Sequence, residues 1–137
     1  MNPSETADVA RAGVSVELHT HRHRVSVNRE KFVREIDENR ARIHAITGAA
    51  PRHFCYPGGF HLPQFPGWLR ESNVISATTC ASGLAAPSTD AMLLPRMVDT
   101  CWQTDTEFYA WIGGLAPLLP HRAYPMSEGQ LMEDDPA

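Results

Sequence analysis

Short apolar runs alternate with amphipathic segments along this chain, and this alternation is the strongest constraint on its fold. Strands separated by helices favour a parallel sheet with helical crossovers, so the predicted fold class is α/β. In such sheets, functional groups collect at the carboxyl ends of the strands. The predicted elements are helices over 4–12, 29–46, 65–72 and 105–116, and strands over 14–18, from His53, over 74–79 and over 92–98.

The segment 29–46 carries the clearest helical signal. Asn28 is suited to cap the helix, and Gly48 follows its last apolar residue. Acidic residues interleave with arginines between the apolar positions, and this pattern predicts that Glu35 and its charged neighbours form a solvated face. The apolar stripe of this helix consists of Phe32, Val33, Ile36, Ile43 and Ile46.

The composition is that of a globular protein. The 137 residues are 42% hydrophobic and 20% charged, which is enough to bury one core. We expect a single domain over residues 1–125, followed by a flexible acidic tail over 126–137. The formal net charge is -4, so no overall basic field would attract nucleic acid.

No apolar run approaches the roughly 20 residues that cross a bilayer, so no membrane span is predicted. The polar segment Met1 to Arg11 lacks the pattern of a secretory signal, and the chain as written is therefore expected in the cytoplasm. Its three cysteines have no CxxC spacing, which indicates free thiols rather than disulfides or a cysteine zinc site.

Three histidines, His19, His21 and His23, occupy alternate positions behind the apolar run 14–18. If the strand continues through them, their side chains point to the same face. Neutral imidazole is a common metal ligand, and zinc accepts nitrogen donors. The spacing therefore indicates a metal site, and a basic, solvated loop without a site is the alternative.

Three stretches resemble motifs of the polysaccharide deacetylases, the carbohydrate esterases with a NodB-homology domain. His19-Thr20-x-x-His23 is similar to the family motif H-S/T-x-x-H. Phe54-Cys55-Tyr56-Pro57-Gly58-Gly59 resembles the next block of the family, and Leu94-Pro95-Arg96 resembles a later strand of one branch. The resemblance covers about residues 13–98. It implies a (β/α) barrel that removes acetyl groups from N-acetylated polysaccharide by hydrolysing a carbon–nitrogen bond other than a peptide bond.

The resemblance also assigns roles to individual residues. His19 and His23 would bind a divalent metal, most often zinc in this family, while Thr20 would hold the metal loop through its hydroxyl. The backbone N–H of Gly58 would help to stabilise an oxyanion. His21 fills a variable position of the motif and receives no ligand role.

The sequence also departs from the family pattern. The Asp-Asp motif that supplies the family's general base and third metal ligand has no counterpart before Gly13, where Asp8 is the only aspartate. We therefore expect a partial domain, an incomplete barrel that begins after that motif. Cys55 replaces the arginine that orients the catalytic aspartate, and we interpret it as a small buried filler. Arg96 is the candidate substitute, with a surface arginine on an edge strand as the alternative.

The residues leave three functions open. The first is a metal-dependent deacetylase, with little or no activity expected from this chain alone. The second is a non-catalytic domain of the same fold that binds metal or carbohydrate weakly. The third and weaker alternative is a histidine-rich protein unrelated to sugars.

An incomplete barrel would leave a sheet edge open, and such an edge would favour a homodimer. A start upstream of Met1 would place the protein at the cell envelope. His61 and His121 have no clear role, since the family's last motif has no evident counterpart.

Overall fold

The computed structural model describes residues 1–97, 103–115 and 118. Its first helix, α1 (Pro3–Arg11), begins earlier than predicted because Asn2, rather than Ser4, is the N-cap. The Asn2 side chain accepts a hydrogen bond from the backbone of Glu5, whose carboxylate accepts one from the Asn2 N–H. This capping box and a proline at the first helical position fix the start of the helix. Helix α1 packs against the second helix.

Helix α2 (Arg29–Thr47) confirms the helix predicted over 29–46. Asn28 caps it by accepting a hydrogen bond from the N–H of Lys31 at 3.1 Å. Gly48, with a φ of 75°, ends it by donating its N–H to the carbonyl of His44 at 2.8 Å. Helix α2 is the longest described helix, and its buried side chains are Phe32, Glu35, Ile36 and Ile43.

The sheet is parallel, as the alternating pattern predicted. Strand β1 (His53–Cys55) pairs with β2 (Ser76–Thr78), and single parallel bridges join Leu18 to Phe54 and Thr78 to Leu94. Four extended segments therefore lie side by side in chain order. The α/β fold class is confirmed, and the predicted closure of such segments into a barrel remains a prediction.

The predicted strand 14–18 makes only one bridge, at Leu18, within the described residues. The carboxylate of Glu17 accepts hydrogen bonds from the N–H groups of Arg52 and His53, both at 2.9 Å. A side chain thus occupies donors that a regular ladder would use, which explains why the pairing is short. Among the described residues of the predicted strand 92–98, only Leu94 makes a bridge, and residue 98 is not described.

Helix α3 (Phe65–Glu71) lies close to its predicted position, while α4 (Asp105–Ile112) ends earlier than predicted. No described side chain of α4 is buried, so the prediction that its apolar residues dock on the preceding elements is wrong for Phe108 and Ile112, which are 40% and 45% exposed. The predicted tail 126–137 and His121 lie outside the described residues. No helix of the described part is long and apolar enough to span a membrane.

One hydrophobic core lies between α2, α3 and the strands. The ring of Phe32 stacks on Phe65 with 4.6 Å between centroids, and Trp68 packs against the same cluster. The residues that follow the strands lie outside this core. Their polar side chains form a cluster at the end of the sheet where the strands finish. The buried apolar residues are Leu18, Val25, Phe32, Ile36, Ile43, Phe54, Tyr56, Phe65, Leu69, Val74, Ala77 and Met92.

Candidate functional site

His19 follows the sheet residue Leu18 directly and is fixed through both its backbone and its ring. Its N–H donates to Oδ1 of Asn39 at 2.9 Å, and its Nδ1 lies 2.7 Å from the carbonyl oxygen of Cys55. A carbonyl can only accept, so Nδ1 is the protonated nitrogen and Nε2 carries the free lone pair. Metal-binding histidines are typically oriented by such a hydrogen bond from the second ring nitrogen.

Residues 20–23 form a loop rather than a continued strand, so strand alternation does not orient the three imidazoles. Thr20 and His23 both adopt left-handed conformations, with φ of 60° and 58°. The Thr20 side chain is buried, and its Oγ1 accepts the N–H of Arg24 at 3.1 Å. His21 is exposed. The loop therefore turns back on itself around Thr20.

This loop brings His19 and His23 together. Their ring centroids lie 4.8 Å apart with the planes tilted by 60°. Two adjacent imidazoles, one of them with a free Nε2, suit a shared divalent ion as two of its ligands. Within the described part of the chain, no group of three or more His, Cys, Asp or Glu side chains is arranged to hold an ion.

Arg96 reaches this edge of the sheet from beyond Leu94. Its Nη1 donates to Sγ of Cys55 at 3.3 Å, and its Nη2 donates to Sγ of Cys80 at 3.0 Å. Its Nε is buried without a hydrogen-bond partner. The guanidinium is thus a half-buried group between two thiols, one of which, Cys55, holds the motif position to which the resemblance assigns an arginine.

Cys55 is half-buried and lies among polar groups, not in the apolar core as a filler would. Hydrogen bonding to His19 is the main cause that lowers the pKa of the Cys55 thiol from 9.0 to about 7, with Thr78 and Arg96 contributing and burial opposing. The same hydrogen bonding raises the pKa of His19. Contact with the His19 ring thus favours the thiolate form of Cys55.

We predict that alkylation of Cys55 by iodoacetamide reaches half its maximal rate near pH 7, because the thiolate is the nucleophile. His19→Ala should move this midpoint upward, since it removes the main cause of the lowered pKa. Peptide mapping by mass spectrometry at a series of pH values resolves Cys55 from Cys80 and Cys101. A midpoint near pH 9 in the unmodified sequence would contradict the prediction.

The turn after β1 places the remaining candidates. Gly58 lies exposed in the 3-10 turn Pro57–Gly59 with a φ of 57°, a conformation that favours glycine. His61 is exposed, and its Nδ1 lies 2.9 Å from the carbonyl oxygen of Gly59. The turn directly follows β1, so Gly58 lies at the same edge of the sheet as His19.

Two residues of α2 belong to this site and were missed by the sequence analysis. Asn39 binds the backbone of His19, and Glu35 binds the backbone of Arg22. The prediction that Glu35 lies on a solvated face is wrong, because the residue is only 3% exposed. Glu35 lies next to Ile36 and three residues after Phe32, so it is beside the apolar stripe of the helix. That spacing was the signal in the sequence that Glu35 could be buried.

Comparison with known families agrees with these observations. The family model for polysaccharide deacetylase matches residues 1–74 of the 137-residue chain. The chain belongs to the polysaccharide deacetylase family. The match includes both histidines of the loop and the turn at Gly58, so the resemblance drawn from the motifs is confirmed at the level of the family.

Two solved structures resemble this deacetylase-family chain in fold. The deacetylase domain of BpsB from Bordetella bronchiseptica is 17% identical, with a TM-score of 0.64 over 70% of this chain and 48% of that one. IcaB from Ammonifex degensii is 20% identical, with a TM-score of 0.66 over 84% and 52%. The chain thus spans about half the length of these structures. Comparison with curated proteins gives no match.

Proposed function

We propose that this polysaccharide deacetylase family member carries part of a site for deacetylating N-acetylated polysaccharide, with activity impaired in this chain alone. We also propose that it binds Zn²⁺, or another divalent ion, through His19 and His23. The observation that supports this most directly is the orientation of His19, whose Nδ1 lies 2.7 Å from the carbonyl oxygen of Cys55 while its ring lies 4.8 Å from that of His23. When bound, such an ion polarises an amide carbonyl and lowers the pKa of a bound water.

The other candidates receive roles around this pair. We assign Arg96 to orient a carboxylate, because it presents a guanidinium with an unpartnered, buried Nε beside Cys55. We assign the backbone N–H of Gly58 to the oxygen that becomes negatively charged as the amide is attacked, since a fixed dipole there requires no reorganisation. Both assignments are consistent with the position of the two residues at the same sheet edge as His19.

The wider architecture of the site is also a proposal. Four parallel extended segments in chain order are the arrangement expected for part of a (β/α) barrel, and we propose that this chain contributes such a part. The segment around Leu18 is the outermost strand on one side of the described sheet. If this outermost strand pairs with the same strand of a second copy, the result is the homodimer that an open edge favours.

We predict that His19→Ala and His23→Ala each weaken Zn²⁺ binding by at least about tenfold, an effect of the size produced by changes near metal ligands. Competition of the full chain with a chromophoric chelator measures this affinity. His21→Ala is the matched control, because His21 is an exposed histidine of the same loop. Equal Zn²⁺ affinity in all three variants and the unmodified chain would overturn the metal assignment.

The catalytic part of the proposal has its own measurement. Release of free amine from an N-acetylglucosamine oligomer, with and without Zn²⁺, shows whether the chain hydrolyses acetamide groups. We propose that this chain alone does so weakly or not at all, because no Asp-Asp motif precedes its histidines. Hydrolysis that is abolished by a chelator and by His19→Ala would support the metal role and contradict the expected impairment.

A further inference from the structure

Helix α2 holds the histidine loop at two backbone positions. Oδ1 of Asn39 accepts the N–H of His19 at 2.9 Å, and Oε2 of Glu35 accepts the N–H of Arg22 at 2.8 Å. Residues four positions apart lie on the same face of a helix, one turn apart. The two side chains therefore act as neighbouring anchors for the two sides of one loop.

The burial of Glu35 shows how strongly this contact is built. The residue is only 3% exposed, and a buried carboxylate is costly unless its oxygens are paired. Its second oxygen, Oε1, accepts a hydrogen bond from the guanidinium of Arg22, which also reaches Oε2 of Glu38 at 2.7 Å. A single residue of the loop thus satisfies the buried carboxylate through both its backbone and its side chain.

The loop needs such anchors because its conformation is strained. Thr20 and His23 have φ of 60° and 58°, and a left-handed conformation is rare for any residue other than glycine and rarer still for a β-branched one. Strained backbone persists only where its surroundings over-determine it. The contacts of Glu35 and Asn39, together with the hydrogen bond to Oγ1 of Thr20, supply that support.

We propose that Glu35 and Asn39 are positioning residues of the histidine site. They fix the backbone on both sides of Thr20 and thereby keep the rings of His19 and His23 4.8 Å apart. This inference rests on the proposed function, in which that pair of histidines binds the metal. Neither residue touches the metal or the substrate in this assignment.

The test compares Glu35→Ala with Glu38→Ala in the full chain. Both variants remove a carboxylate from Arg22, but only Glu35→Ala removes the acceptor for the backbone N–H of the loop. We expect Glu35→Ala to weaken Zn²⁺ binding by about tenfold and to accelerate amide hydrogen exchange at Arg22 without metal, whereas Glu38→Ala leaves both unchanged. Measuring the affinity well below the melting temperature of each variant separates this effect from global stability.

Asn39 provides a second, independent pair of variants if Glu35→Ala does not fold. Asn39→Ala removes the acceptor for the N–H of His19 and should weaken Zn²⁺ binding, while Asn39→Asp keeps an acceptor oxygen and should restore it. Unchanged amide exchange at His19 in Asn39→Ala and at Arg22 in Glu35→Ala would overturn the inference whether or not metal binds.

The outcomes also separate this inference from the proposed function. If His19→Ala weakens Zn²⁺ binding but neither Glu35→Ala nor Asn39→Ala does, the positioning role is wrong and the metal assignment stands. If Zn²⁺ binding is insensitive to His19→Ala and His23→Ala, the metal assignment fails and the positioning role falls with it. Accelerated exchange together with weaker binding supports both.

Discussion

Gly59→Ala is expected to destabilise the protein by about 3 kcal/mol or more, because it combines backbone strain with overpacking. Gly59 is buried with a φ of +74°, and a Cβ at this position would lie 2.5 Å from Cβ and 2.7 Å from the backbone nitrogen of Cys80. A contact of that length with backbone atoms cannot be relieved by a rotamer change. Urea unfolding followed by tryptophan fluorescence measures the loss, and the melting temperature should fall by roughly 10 °C.

Gly48→Ala is the matched control for this prediction. Gly48 has nearly the same φ, +75°, but no atom lies within 4 Å of the position of its Cβ. It should therefore lose only the left-handed strain of about 1–2 kcal/mol. Equal losses in the two variants would show that steric contact with Cys80 is not what makes Gly59 necessary.

The close approach at Gly59 matters for the candidate site as well as for stability. It brings the turn that follows β1 against Cys80, which follows β2. Cys80 and Cys55, the last residue of β1, are the two thiols that Arg96 contacts. A displaced turn would separate Cys55 from Arg96 and thereby remove one of the groups that lower the pKa of its thiol. Gly59 therefore sets the spacing between Cys55, Cys80 and Arg96, which come from three parts of the chain.

Local signals in the sequence were sufficient to predict the helices and the order of the strands. Helix α2 begins after the Asn28 cap and ends at Gly48, since both residues act within one helical turn of the boundary. The alternation of elements was sufficient for a parallel sheet, because a parallel pair requires a crossover connection. The motif around His19 and His23 gave the family, which comparison confirmed.

Contacts between distant residues were not predictable in the same way. Glu35 has the charge pattern of a solvated face, and its burial depends on Arg22, a loop residue 13 positions earlier. Glu17 replaces ladder hydrogen bonds by binding Arg52 and His53, which lie 35 and 36 positions later. Neither partner can be recognised from spacing or propensity, since each pairing exists only after the chain has folded.

Cys55 holds a motif position to which the family resemblance assigns an arginine. The motif resemblance identified the departure and named Arg96 as a candidate substitute. The structure adds that Nη1 of Arg96 lies 3.3 Å from Sγ of Cys55, so the guanidinium is brought to the edge of β1 from the segment after Leu94. The site thus presents an arginine beside the histidine pair although the motif position itself holds a thiol.

Phe32→Ala is expected to remove about 3–5 kcal/mol of folding free energy, the usual cost of deleting a buried aromatic ring. The ring of Phe32 is 1% exposed and stacks on Phe65 with 4.6 Å between centroids, while Trp68 and Phe54 lie 5.5 and 6.4 Å away. Because domains are stable by only about 5–15 kcal/mol, this is a large share of the total. Equilibrium urea unfolding monitored by circular dichroism gives the free-energy difference.

Phe108→Ala provides the comparison, since Phe108 on α4 is 40% exposed and should cost much less. The two variants should also differ in their effect on the histidine loop. Phe32 lies one turn before Glu35 on α2, and packing at Phe32 sets how deeply that helix lies against the sheet. Loss of the ring should therefore accelerate amide exchange at Arg22, whereas Phe108→Ala leaves it unchanged. Similar destabilisation by both variants would mean that the aromatic cluster around Phe32 does not dominate the core.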